Sequence, residues 1–230
     1  MDSHESVKSA FIVTSAVFSG VGTEDERTAQ TQTTIDSIKK SGDYEIFLFD
    51  STGNPDVSGC KVYDVSDHEN FSVIRKLVDL APDINVRGFK EGYLKNLSEI
   101  QIMIIALDTI DFNRFKRVFK ISGRYFLTGS FNGCNHEKVT LRRFSPTWSL
   151  DITGIGKRTI TSLWSFSPEY IEEIKRVLTA SFDYILKKPY ENGCSDIEHT
   201  FTEFFEIDHV KCIPVLGVSG RVDNKRKVYL

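Results

Sequence analysis

Apolar residues fall along the chain in short runs that end abruptly in polar ones. Residues 10 to 15 (AFIVTS) and 44 to 50 (YEIFLFD) are runs of this kind, the pattern of buried parallel strands whose last residues emerge at one edge of a sheet. Between them, residues 26 to 40 carry Ala29, Ile35 and Ile38 at near-helical spacing and stop at Ser41-Gly42, so a helix joins the two strands into a βαβ unit. Residues 60 to 65 (CKVYDV) predict a third strand. Residues 94 to 107 (LKNLSEIQIMIIAL) predict a helix so apolar that it is buried on more than one side, feeding a strand over 116 to 121.

Downstream the pattern changes. KVTLRRF (138 to 144) and RTITSLWSF (158 to 166) alternate like antiparallel strands. A helix over 168 to 187 opens on Ser167-Pro168-Glu169, and another over 195 to 206 opens on Ser195-Asp196-Ile197-Glu198. The expected fold is α/β: one Rossmann-like domain with a mainly parallel central sheet, antiparallel additions and flanking helices. No repeat, linker or low-complexity tract divides residues 1 to 230, and the core runs from about 10 to 218. The basic run Arg221 to Lys227 reads as a solvated tail or an edge strand.

Composition narrows the partners. The 230 residues are 40% hydrophobic and 12% aromatic, as in an ordinary globular protein. With 29 basic against 32 acidic residues the formal charge is −3, which gives no general attraction to polyanions and argues against nucleic acid as a partner. MDSHESVKSAFIVTSAVFSG lacks the basic start and small-residue cleavage site of a signal peptide. No apolar stretch approaches the roughly 20 residues of a membrane span. The expectation is a soluble, cytoplasmic protein. Cys60, Cys134, Cys194 and Cys212 are scattered, with no C-x-x-C pair, and read as reduced thiols. Cys194, His199, His209 and Cys212 lack the close pairs that pre-organise a zinc site.

In open α/β sheets, ligands bind beyond the carboxyl ends of the parallel strands. Here those ends are Thr14-Ser15, Asp50-Ser51 and Ser122-Gly123-Arg124. The set suits a nucleotide: hydroxyls and a carboxylate hydrogen-bond base or ribose, and a guanidinium forks onto diphosphate. Structural alternatives stand beside each, with Asp50 as a turn cap and Arg124 as half of an ion pair stapling the sheet edge. The common phosphate loops are missing. There is no G-x-x-x-x-G-K-[ST], SGVG (19 to 22) does not supply G-x-G-x-x-G, and no G-x-S-x-G elbow occurs.

TSAVFSG with Arg27 and QTQTTIDSI, then YEIFLFDST, then KEGYLKNLSEIQIMIIAL leading into FKISGRYFL, together resemble nucleotide-sugar-dependent glycosyltransferases of the GT-A fold. The likeness is to the group of WavE-type lipopolysaccharide and capsular-polysaccharide synthesis proteins and related enzymes of large DNA viruses. It covers most of residues 10 to 205, and its most specific part is K-x-S-G-R-Y, Lys120 to Tyr125. The resemblance implies a transferase that moves a sugar, with inversion, from a nucleoside diphosphate donor such as a UDP-sugar to a glycan or glycoconjugate acceptor. By the same likeness Thr14, Ser15, Arg27, Asp50 and Ser51 would line the nucleotide site, with Ser122 and Gly123 beside them and Lys90 approaching the phosphates. Arg27 and Lys90 have equally plain readings as solvated surface residues.

Many enzymes of that fold hold a divalent cation on an Asp-x-Asp motif, and none occurs in this chain. Ser122-Gly123-Arg124 stands in its place, where an arginine can itself neutralise the leaving diphosphate. Dependence on manganese or magnesium is thus left open. For the general base the resemblance points to SDIEHTFTEFF, with Glu198 first and Asp196 second. Both also fit the first turn of a helix, where the dipole favours acids. Glu203 and Glu206 read as solvent-facing, and Trp164 as a core residue or a platform for a sugar ring. Two rival readings remain. A sugar nucleotidyltransferase would want a basic loop after the first strand, whereas AVFSGVGTEDE (16 to 26) has three acids and no lysine or arginine. A non-catalytic module binding nucleotide sugars or glycans is compatible with the missing Asp-x-Asp.

Overall fold

The computed structural model describes residues 8–16, 23–83, 88–143, 159–221 and 227–229. The predicted βαβ start is present as β1 (Ser9–Ser15), α1 (Glu24–Ser41) and β2 (Tyr44–Asp50), followed by β3 (Lys61–Asp64). Helix α1 begins where Thr23 and Glu26 form a reciprocal capping box, and three acids in its first turn and two lysines in its last complement the helix dipole. The apolar helix is longer than its sequence pattern predicts: α3 runs Phe89–Thr109 and leads into β4 (Arg117–Ser122).

The main sheet has seven strands in the order β3-β2-β1-β4-β7-β6-β8, with β6 at Val139–Arg143, β7 at Thr159–Phe166 and β8 at Val210–Cys212. The pairs β3·β2, β2·β1, β1·β4 and β6·β8 are parallel, while β4·β7 and β7·β6 are antiparallel. The 3-2-1-4 run of parallel strands is the Rossmann-like half, and the antiparallel additions follow it as expected. Residues 144 and 158, at the ends of the two predicted antiparallel strands, lie outside the described residues.

Alternation along the strands sorts the core into two layers. On one face Ala10, Ile12, Phe47, Phe49, Val118, Trp164 and Phe166 pack against α3, α2 (Glu69–Leu80), α4 (Ile171–Lys187) and α5 (Ile197–Phe204). On the other, Phe11, Val13, Leu48, Phe119 and Ile121 meet Ile35 and Ile38 of α1 and a small antiparallel sheet. That sheet joins β5 (Tyr125–Leu127), β9 (Val218–Arg221) and β10 (Lys227–Tyr229). Helix α3 buries residues around most of its circumference, among them Leu97, Ile100, Gln101, Met103 and Ala106, and the Tyr93 hydroxyl donates to the Leu186 carbonyl at 2.9 Å to tie it to α4.

Several elements differ from the sequence reading. Helix α2, with Phe71, Ile74 and Val78 buried, is an added element, and its i, i+3, i+7 spacing is the sequence signal for it. The helix over 168 to 187 is a 3₁₀ turn (Pro168–Tyr170) running into α4, as a proline at the first position allows. Helix α5 is shorter than 195 to 206, because Asp196 caps it instead of entering its first turn. The small sheet has strands of three or four residues, too short for period-two alternation to show. Of the basic run Arg221 to Lys227, the two ends belong to β9 and β10, and 222 to 226 lie outside the described residues.

Candidate functional site

The carboxyl ends of β1, β2 and β4 lie side by side, because register pairs Ser15 with Asp50 and Thr14 with Ser122. Backbone bonds bind the three ends together: Gly123 donates its N–H to the Thr14 carbonyl at 2.8 Å, and Ser51 donates to the Ser15 carbonyl at 3.2 Å. Gly123 is buried at this seam. A Cβ there would stand 3.1 Å from Thr31 Oγ1 and 3.4 Å from Ser15 Cβ, so glycine lets the chain leave β4 against α1 without displacing it. The Ser15 and Thr31 hydroxyls are 3.3 Å apart. Asp50 is fully buried, and its Oδ1 accepts from the Thr52 N–H at 2.8 Å and the Thr52 hydroxyl at 2.6 Å, holding the turn that follows β2.

Beyond this seam, charge gathers around Arg124. Arg27, in the first turn of α1, has its pKa lowered by burial and then by the charge of Arg124, against the opposing pull of Glu26. Lys95 of α3 is likewise lowered, first by desolvation and then by Arg124 and Lys120, while Glu99 and Glu198 act the other way. Tyr125 is raised by burial and feels Arg124, Glu198 and Glu99 in turn. Four cations, Arg27, Lys95, Lys120 and Arg124, therefore share one neighbourhood with two carboxylates, Glu99 and Glu198.

Lys120 is the unexpected member. It sits in mid-strand between Phe119 and Ile121, is 1% exposed, and donates from Nζ to the Thr161 carbonyl at 3.0 Å and to Glu99 Oε1. Burial pushes the Glu99 carboxyl up, but Lys120, Lys95 and Arg124 outweigh it and leave its pKa below the ordinary value. The signal was present in the sequence as a lysine inside an apolar strand, VFKIS, where an unpaired charge is costly. Lys95 and Glu99 gave no such signal, since charged residues on a helix are commonly solvated.

The start of α5 is fixed to the same place. Its first N–H, at Ile197, donates to Asn96 Oδ1 on α3 at 3.2 Å, and Asp196 caps the helix by accepting from the His199 N–H at 3.0 Å while also meeting the His199 ring. Glu198 is thereby carried in the first turn of α5 to the edge where its charge meets Lys95 and Tyr125. Asp196 has a helix-capping task at this point.

The other candidates are spread out. Lys90 Nζ lies 3.2 Å from Asp83 Oδ1 and 3.4 Å from the Asp79 carbonyl, beside the end of α2; the α3 lysine whose charge meets Arg124 is Lys95. Trp164 is core, 1% exposed, with its ring edge-on to Phe201 at 5.2 Å, so it offers no face to a sugar. Glu203 and Glu206 are exposed. Among the described residues no three His, Cys, Asp or Glu side chains gather as a metal site, and no helix is long and apolar enough to cross a membrane. The donor set at Ser122-Gly123-Arg124 offers hydroxyl and guanidinium groups in place of carboxylates, which does not suit a divalent cation.

No protein-family model and no curated protein matches the chain. Among solved structures it is similar to mouse xyloside xylosyltransferase 1 in its apo form, at 10% identity and a TM-score of 0.48, over 89% of this chain and 85% of that one.

Proposed function

We propose that the protein is a glycosyltransferase that takes a sugar from a nucleoside diphosphate donor to a glycan or glycoconjugate acceptor. One observation carries the reading: Arg124, directly after the central parallel strand, is the hub of a cluster in which Arg27 and Lys95 crowd it with like charge. With Lys120 the cluster holds four cations against the carboxylates of Glu99 and Glu198, and that surplus of positive charge favours a dianion there. The hydroxyl-rich strand ends Thr14-Ser15 and Ser51, with buried Asp50, lie next to that cluster through the β1·β2·β4 register. They suit the nucleoside half of the donor. The resemblance around K-x-S-G-R-Y supports the same assignment.

In this mechanism Arg124, with Arg27 and Lys95, holds the diphosphate and stabilises the charge that develops on it as the glycosidic bond breaks. Glu198 takes the proton of the acceptor hydroxyl as that oxygen attacks the anomeric carbon from the opposite side, giving inversion. Ser122 and Gly123 shape the passage between nucleoside and diphosphate. Lys90 belongs to this scheme only as an outer cation, given its pairing with Asp83.

The test is binding followed by turnover. At 100 times its dissociation constant, a nucleoside diphosphate should stabilise the wild type by about 2.7 kcal/mol in thermal unfolding. Arg124→Ala should remove that shift and reduce transfer or donor hydrolysis by about 10²-fold or more while the fold stays cooperative. Full activity in this variant would refute the role of Arg124. Glu198→Gln should keep the binding shift and lose turnover, and unchanged turnover would exclude Glu198 as base. A non-catalytic binding module is the second reading, favoured by the missing Asp-x-Asp. It predicts the same shift with no sugar transferred to any acceptor.

A further inference from the structure

We infer that Lys120 is a positioning residue for anion binding: by taking up the carboxylate of Glu99 from below, it keeps that carboxylate from cancelling Lys95 and Arg124 at the sheet edge. This rests on the nucleotide-donor reading for its ligand, though not for its electrostatics. Lys120 lies almost fully buried in β4, opposite Trp164 of β7, on the strand face that Val118 shares with the apolar core. A methionine would pack there without the desolvation that a buried ammonium costs, so stability alone gives no reason for a lysine. The lysine has two partners, the Thr161 carbonyl and Glu99.

Glu99 has three cationic neighbours: Lys120 beneath it, Lys95 one turn away on α3, and Arg124 at the end of β4. Coulomb fields add, so Lys120 offsets at Lys95 and Arg124 much of the negative potential that Glu99 places there, and this offset is the division of charge in question. With Lys120 hydrogen-bonded to Oε1, the share left for the two edge cations is reduced, and their potential extends toward a ligand. Without Lys120 the whole carboxylate turns to Lys95 and Arg124 and acts as a built-in competitor for a diphosphate. Lys95 reports this division directly, because Lys120, Glu99, Glu198 and Arg124 are the charges that bear on it.

The experiment combines uridine diphosphate binding by calorimetry with NMR titration of the Lys95 side chain in full-length wild type, Lys120→Met, Glu99→Gln and the double variant. Lys120→Met is expected to weaken binding about tenfold, Glu99→Gln to bind at least as well as wild type, and the double variant to return to within about threefold of it. The Lys95 titration should move up in Lys120→Met and down in Glu99→Gln. A purely structural lysine would weaken the double variant as much as the single one, and that result overturns the inference. So does unchanged binding in folded Lys120→Met. Should Lys120→Met fail to fold, Glu99→Gln decides alone: weaker binding or an unmoved Lys95 refutes the division of charge. If wild type binds no uridine diphosphate while Lys95 moves in both directions as stated, the division of charge stands and the donor reading falls.

Discussion

Strand β4 carries a buried basic residue near each end, and the two are held in opposite ways. At its start, Arg117 donates to the Lys138 carbonyl at 2.8 Å, to the Ser167 hydroxyl at 2.6 Å and to the Ser165 hydroxyl at 3.3 Å, and Ser165 in turn meets the His136 ring at 2.8 Å. The hydrogen-bonding partners are neutral, and they tie β4, β6 and β7 into one network. Toward its other end, Lys120 pairs with a carboxylate and Arg124 shares its surroundings with Arg27 and Lys95. A guanidinium satisfied by carbonyl and hydroxyl oxygens needs nothing further and serves the fold. A cluster in which cations outnumber carboxylates would gain from an added anion, and the proposed donor site is placed there for that reason.

The sharpest way to break this contrast is to truncate the structural arginine. Arg117→Ala should destabilise the protein by several kcal/mol, at roughly 1–3 kcal/mol for each buried hydroxyl or carbonyl acceptor left without its donor. Activity per folded molecule should not change. Denaturant unfolding with a parallel assay measures both, and a loss of activity in the folded fraction would erase the distinction between the two ends.

The second test uses pH. Burial first, then Arg117 and Lys211, pushes His136 from 6.5 down to about 4. Well above pH 6.5 native and unfolded states both hold a neutral ring and His136 contributes no slope. As pH falls from about 6.5 toward about 4, the unfolded chain takes up a proton that the native state refuses, so stability declines by on the order of 3 kcal/mol and then levels off. His136→Gln should flatten that segment relative to wild type in urea melts across the range. Identical pH profiles would show that the ring takes up its proton alike in the folded and unfolded chain, against the lowering that burial implies.

The smallest effect is expected at Gly123. Gly123→Ala puts a methyl 3.1 Å from Thr31 Oγ1, for which a shift of a few tenths of an ångström and about 1 kcal/mol of stability suffice. Nucleoside diphosphate affinity should fall by more than that stability loss implies, because the displaced groups line the proposed site. A variant that loses stability alone would move this seam to the structural side of the comparison.

How far the site was legible in the sequence depended on the kind of signal each residue gave. Thr14, Ser15, Asp50, Ser51 and Arg124 were legible as the ends of apolar runs, since a parallel strand that starts in the core must finish at the edge where ligands sit. Lys120 was legible as a charge in such a run, yet its partner was not. Glu99 lies 21 residues earlier on a helix, and no local pattern connects a helix face with one strand position.

Local physics thus determined the first half of this protein: which segments are strands, which helix is buried on several sides, and which residues stand at strand ends. Periodicity and capping act over a few residues, so the chain alone specifies them. Tertiary structure decided the grouping of charges. Packing of α3 against β1 and β2 and of α5 against β7, tied together in part by Asn96 accepting from Ile197, set Glu99 beside Lys120 and brought Lys95, Glu198 and Arg124 into one neighbourhood. Electrostatic neighbourhood depends on distance through space, and that distance exists only once the layers have packed.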